Sequence, residues 1–184
     1  KVEGTDLIIN SNKIKYSNYS KINQVNWNKF KIDFLIDASG NRRNLLLSKK
    51  LKNKVKHIVV TNSPGSKYVD KTLIFGVNES EFNKKHFLIS SSICDATAIA
   101  PVCKIINELF QIEKGFVTTL HPYLGYQNLL DGPSKSYALP GKTIDNYALG
   151  RSSLNSLIPK DTSAIKATYE VLPELKNKFL ANSF

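Results

Sequence analysis

Short apolar runs separated by polar turns dominate the first half of the chain, and a helical period takes over near its middle. Asp6-Leu7-Ile8-Ile9-Asn10 and Lys13-Ile14-Lys15-Tyr16 flank a Ser-Asn turn and predict a hairpin. Trp27 and Phe30 precede Ile32-Asp33-Phe34-Leu35-Ile36-Asp37, a strand that stops at the small-residue turn Ala38-Ser39-Gly40. A helix is expected over 45–51. His57-Ile58-Val59-Val60 reads as a buried strand feeding the loop Thr61-Asn62-Ser63-Pro64-Gly65, and Phe87-Leu88-Ile89 as another strand. Apolar strands alternating with helices belong to a parallel sheet.

The stretch from Ser90 to His121 organises the rest. A Ser-rich turn leads to Cys94, after which Ile99, Val102, Cys103, Ile106, Leu109 and Phe110 recur at three- and four-residue steps. That spacing predicts a helix that starts at or just after Cys94 and ends near Gly115, with these residues as its apolar face. Pro101 fits such a helix only in its first turns, where a missing N–H breaks nothing essential. Phe116-Val117-Thr118-Thr119-Leu120 then reads as a strand delivering His121. Two readings of Cys94 stay open. At a helix N-terminus the dipole and free N–H groups favour a thiolate, which His121 could activate as a nucleophile. A lone cysteine in an apolar setting is also an ordinary small core residue. Beyond His121, residues 131–150 read as a long loop and 153–158 as a strand. Thr162-Ser163 should cap a helix over 164–172 ahead of Pro173, and Phe179-Leu180-Ala181 opens a further strand.

Composition narrows the class. A hydrophobic share of 41% and the lack of a long apolar run leave no membrane span or signal peptide to propose. Two cysteines without framework spacing point to a reducing, cytoplasmic setting rather than a disulfide scaffold. The net charge of +11 invites a polyanion partner, but the lysines sit scattered among Asn and Ser. No zinc spacing, basic heptad or RNA-binding aromatic motif accompanies them, so neither a metal nor a specific nucleic acid is expected. The chain contains no methionine and opens at Lys1 in mid-pattern, so a fragment is expected.

Ser90, Cys94, Ala100-Pro101, Thr118-Thr119, His121 and Tyr123 together resemble the active-site segment of phosphorylating glyceraldehyde-3-phosphate dehydrogenases, with no gap between Cys94 and His121. Asp131-Gly132-Pro133-Ser134, Gly150-Arg151, Ile158-Pro159, Thr162, Lys166 and Leu172-Pro173-Glu174-Leu175 follow the same family in order, as does Gly76-Val77-Asn78 earlier. The likeness covers nearly the whole chain. It implies an α/β protein: a partial Rossmann-like parallel sheet (1–93, the C-terminal part of an NAD-binding domain) followed by part of an α+β catalytic domain (94–184). It further implies NAD-dependent oxidation of an aldehyde phosphate in glycolysis, with Cys94 as nucleophile and His121 as general base. Ser39 and Gly40 would line the cofactor, as would Asn62 in place of the family's Ser, although Ser39-Gly40 read alone is simply a turn. Thr162 and Arg151 would hold phosphate. Inorganic phosphate as a second substrate and a homotetramer when full-length complete the expectation.

The chain departs from the family at several positions. The glycine-rich pyrophosphate turn would lie before Lys1 and a substrate arginine after Phe184, so the fragment itself is expected to bind NAD weakly or not at all and to be inactive as a dehydrogenase. Ile93, Asp95, Leu124, Tyr126 and Ser163 replace residues that in the family contact phosphate or adjoin those that do. Asp95 matters most, since a carboxylate there opposes both a phosphate dianion and a thiolate. The alternative reading is a degenerate homologue that keeps the fold without the chemistry.

Overall fold

The structure is a computed structural model that describes residues 2–3, 6–125, 127–133 and 148–184. Tyr126, Ser134 and most of the expected 131–150 loop lie outside the described residues. An antiparallel sheet opens the chain, formed by β1 (Val2–Glu3), β2 (Asp6–Ile9) and β3 (Asn12–Lys15). The β2–β3 hairpin turns through Asn10 and Ser11, both with positive φ (48° and 65°), the conformation a tight two-residue hairpin needs.

A four-stranded sheet follows, in the order β4 (Phe34–Asp37), β5 (His57–Val60), β7 (Leu88–Ser90), β6 (Lys71–Thr72), with every pairing parallel. β5 alternates half-buried His57 and Val59 with buried Ile58 and Val60. Helix α1 (Arg42–Ser48) continues as a 3-10 turn over Lys49–Leu51, and the side chain of Asn41 accepts from the Arg43 N–H to start it. Leu45, Leu51, Val55, Ile58, Val60, Val69 and Leu88 form the core on this side.

Helix α2 (Cys94–Phe110) begins at the expected residue and ends sooner than predicted, with Gln111 in the left-handed region (φ 54°). Pro101 sits beyond the first turns, against expectation. The carbonyl it leaves without a helical partner belongs to exposed Thr97, where solvent can satisfy it, so the helix continues. The predicted apolar face is also corrected. Val102, Ile106, Leu109 and Phe110 are exposed, the last to 77%, whereas the buried stripe is Ala96, Ala100 and Cys103. Small side chains allow close approach, and α3 (Ala164–Tyr169) packs there through Ala167, with Ile74, Val77, Val171, Leu172 and Leu175 closing the core.

β8 (Gly115–Thr119) pairs in parallel with β9 (Phe179–Ser183). No strand forms over 153–158; Ser153 instead bonds back to Asn128, and Lys160 bridges to Ser183. α3 is shorter than predicted because Pro173 starts a 3-10 turn over Pro173–Leu175. No described helix is long and apolar enough to cross a membrane.

Candidate active site

Two element ends converge because of matched lengths. α2 runs about 24 Å from Cys94 to Phe110 at 1.5 Å per residue. After the turn at Gln111, the extended segment 115–121 returns about 20 Å. His121 is thereby carried back towards the start of the helix, and it is fixed there by its N–H donating to the Phe184 carbonyl at 2.9 Å.

The approach to Cys94 is strained and tightly bonded. Ser92 is buried with φ of 65°, a sparsely populated conformation for serine, and its N–H donates to Ser90 Oγ at 3.0 Å. Ser90 Oγ donates to the Asn62 carbonyl at 2.6 Å, and the Ser91 N–H to the Val60 carbonyl at 3.0 Å. Cys94 is the first residue of α2, so its N–H has no intrahelical acceptor. Its thiol is exposed, unlike that of Cys103.

Asp95 joins the two chemical groups. The Cys94 thiol donates to Asp95 Oδ1 at 3.7 Å, and Asp95 Oδ2 lies 3.5 Å from His121 Nε2. That nitrogen is buried and has no hydrogen-bond partner among the described residues, so its relation to the carboxylate is proximity rather than a formed bond. Reading the sequence places Asp95 near Cys94 but misses its contact with His121. The signal was available: a carboxylate in the first turn of a helix that starts at a cysteine, facing a strand that ends in histidine. His121 also borders a cavity of about 20 Å³ shared with Gln127 and Lys160 between apolar walls.

The other candidates occupy the carboxyl edge of the parallel sheet or the segments beyond it. Asp37 pairs with Val60, which places Ser39 and Asn62 equally far beyond adjacent strands. Asp37 Oδ1 accepts from both the N–H and the hydroxyl of Ser39, at 3.0 and 2.6 Å. Gly40 has φ of +61° with open space where a side chain would start. The side-chain carbonyl oxygen of Asn62 is buried without a partner among the described residues. Thr162 Oγ1 accepts from the Ala164 N–H at 3.1 Å, which starts α3. Arg151 is exposed, and its ion-pair partner is Asp131 at 3.3 Å rather than any group around Cys94.

Residues 93–184, half of the chain, match the family model described as the C-terminal domain of glyceraldehyde 3-phosphate dehydrogenase. The chain belongs to the glyceraldehyde-3-phosphate dehydrogenase family. It is 34% identical over 181 residues to glyceraldehyde-3-phosphate dehydrogenase 2 of Bacillus subtilis (strain 168), covering 96% of this chain and 49% of that protein. It is 30% identical over 182 residues to the glyceraldehyde-3-phosphate dehydrogenase of Clostridium pasteurianum (96% and 50%). Against glyceraldehyde-3-phosphate dehydrogenase 1 of Kluyveromyces marxianus the identity is 31% over 188 residues (99% and 52%). The chain thus spans about half the length of these glyceraldehyde-3-phosphate dehydrogenases.

Proposed function

We propose that the chain is part of an NAD-dependent aldehyde dehydrogenase of the glyceraldehyde-3-phosphate dehydrogenase type. The supporting observation is that the exposed thiol of Cys94 and the imidazole of His121 meet at one carboxylate, that of Asp95. In this reading the Cys94 sulfur attacks an aldehyde carbonyl, and His121 takes up the proton as general base. The N–H of Cys94, which has no acceptor within the helix, donates to the oxyanion that forms. Loss of hydride leaves an acyl-thioester on Cys94.

Ser39, Gly40 and Asn62 would hold the dinucleotide at the carboxyl edge of the sheet, where open α/β sheets receive such ligands. The orphaned Asn62 oxygen fits that role, because a buried acceptor without a partner is suited to a ligand donor. A bound nicotinamide would supply the hydride acceptor. Thr162 and Arg151 are the candidates for substrate phosphate. The parallel sheet corresponds, in this reading, to part of a dinucleotide-binding domain over 1–93, with the catalytic part over 94–184. Exposed Phe116 and Leu180, paired neighbours across β8 and β9, support assembly into a homotetramer.

The test is NADH formation from an aldehyde phosphate, followed by absorbance. Cys94→Ser should abolish it, and His121→Asn should slow it by about 10²-fold or more. A signal that survives Cys94→Ser refutes the reading. A homologue without dehydrogenase chemistry is the second reading, favoured by the absence of a hydrogen bond to His121 Nε2 among the described residues. That reading requires no activity in the intact protein.

A further inference from the structure

Resting on the acyl-thioester reading above, we propose that the acyl group on Cys94 passes to water rather than to an anionic acceptor such as phosphate, and that Asp95 makes this choice. Asp95 Oδ1 lies 3.7 Å from the sulfur, and Oδ2 lies 3.5 Å from His121 Nε2. An acceptor attacking the thioester carbon comes within a few ångströms of that carboxylate. A phosphate dianion placed there is disfavoured by roughly tenfold even with water-like screening, and by far more in drier surroundings. Water carries no such penalty.

The space beside the base favours the same acceptor. The cavity bordered by His121 has a volume of about 20 Å³. That is room for a water beside the base, and His121, Gln127 and Lys160 offer the polar partners a water needs. Among the described residues, Asp95 from α2 faces His121, and Lys160 from the segment before α3 lines the cavity that His121 borders. Lys160 adds positive charge at the cavity, which neither Cys94 nor Asp95 lines, and Asp95 remains the charge beside the sulfur.

The step balances without a further reactant. The water oxygen bonds to the thioester carbon while one water proton goes to His121. The carbon–sulfur bond breaks with its electron pair on sulfur, and His121 returns the proton to the Cys94 thiolate. A carboxylic acid leaves and ionises to solvent.

The test acylates the 184-residue chain with p-nitrophenyl acetate, which needs no NAD. A burst of nitrophenolate reports acylation, and turnover after the burst reports deacylation. Inorganic phosphate is raised to about 0.1 M at constant ionic strength. The native chain should deacylate at a rate unchanged within about twofold, releasing acetate, whereas Asp95→Asn should gain a phosphate acceleration of roughly tenfold and release acetyl phosphate. Asp95→Glu, which keeps the charge, should stay insensitive. Absence of a burst, as in Cys94→Ser, overturns the acyl-thioester reading itself. A burst followed by phosphate-accelerated deacylation of the native chain overturns only the choice of water. An insensitive Asp95→Asn overturns Asp95 as its cause.

Discussion

Asn78 holds the seat of α2, and its removal should be costly. The residue is 4% exposed; its side chain accepts from the Ile74 N–H at 2.9 Å and donates to the Thr72 carbonyl at 3.0 Å. These bonds shape the turn that presents Ile74 and Val77 to Ala96, Ala100 and Cys103 of α2, and Lys104 of the same helix donates to the Val77 carbonyl at 2.8 Å. Asn78→Ala leaves two backbone groups of buried residues unpaired. Each orphan costs about 1–3 kcal/mol, so after relaxation a loss of about 3 kcal/mol is expected. Urea unfolding followed by circular dichroism, with an unchanged slope, measures it. Native-state alkylation of buried Cys103 provides a local check, because about 3 kcal/mol corresponds to roughly a hundredfold faster labelling if opening limits access. Asn78→Asp keeps the acceptor but turns a charged oxygen towards Thr72, and should cost at least as much. A loss below about 1 kcal/mol with unchanged Cys103 labelling would refute the reasoning, since the two backbone groups would then have found other partners.

Further outcomes follow from single contacts. Gly115→Ala drives a methyl into the Phe179 ring paired opposite it, and should destabilise by about 1–3 kcal/mol, with Phe179→Leu restoring most of the loss in a double-mutant cycle. Iodoacetamide should modify Cys94 and spare Cys103, whose thiol is buried and pushed up in pKa by that burial; mass spectrometry showing fast double labelling of the native chain contradicts this. The hydrogen bond from Lys71 holds the Glu81 carboxyl below its usual pKa. A depressed folded value means stability that is present at neutral pH and lost as pH falls through that value. Both side chains are at least a third exposed, so Glu81→Gln should cost less than about 1 kcal/mol at pH 7. That difference should vanish in acid, and one that persists there would assign the effect to packing.

Local pattern by itself determined the strand–turn–strand order of the first half, the parallel sheet and the start of α2. Each rests on interactions between near neighbours: alternation in β5, the Asn10-Ser11 turn, and the switch to a helical period after Cys94. Family membership was legible too, because motifs are carried by residue identity and order. Tertiary structure alone decided which face of α2 is buried. Spacing weighs large apolar residues most, yet the helix turns its alanines inward because α3 and the 74–77 turn approach closely only over small side chains. It also decided that no strand forms over 153–158, where the Ser153 N–H bonds to the Asn128 carbonyl instead of to a ladder. The meeting of Asp95 with His121 was illegible for the same reason. It depends on a helix and a returning strand of matched length, a distance in space that no local pattern encodes.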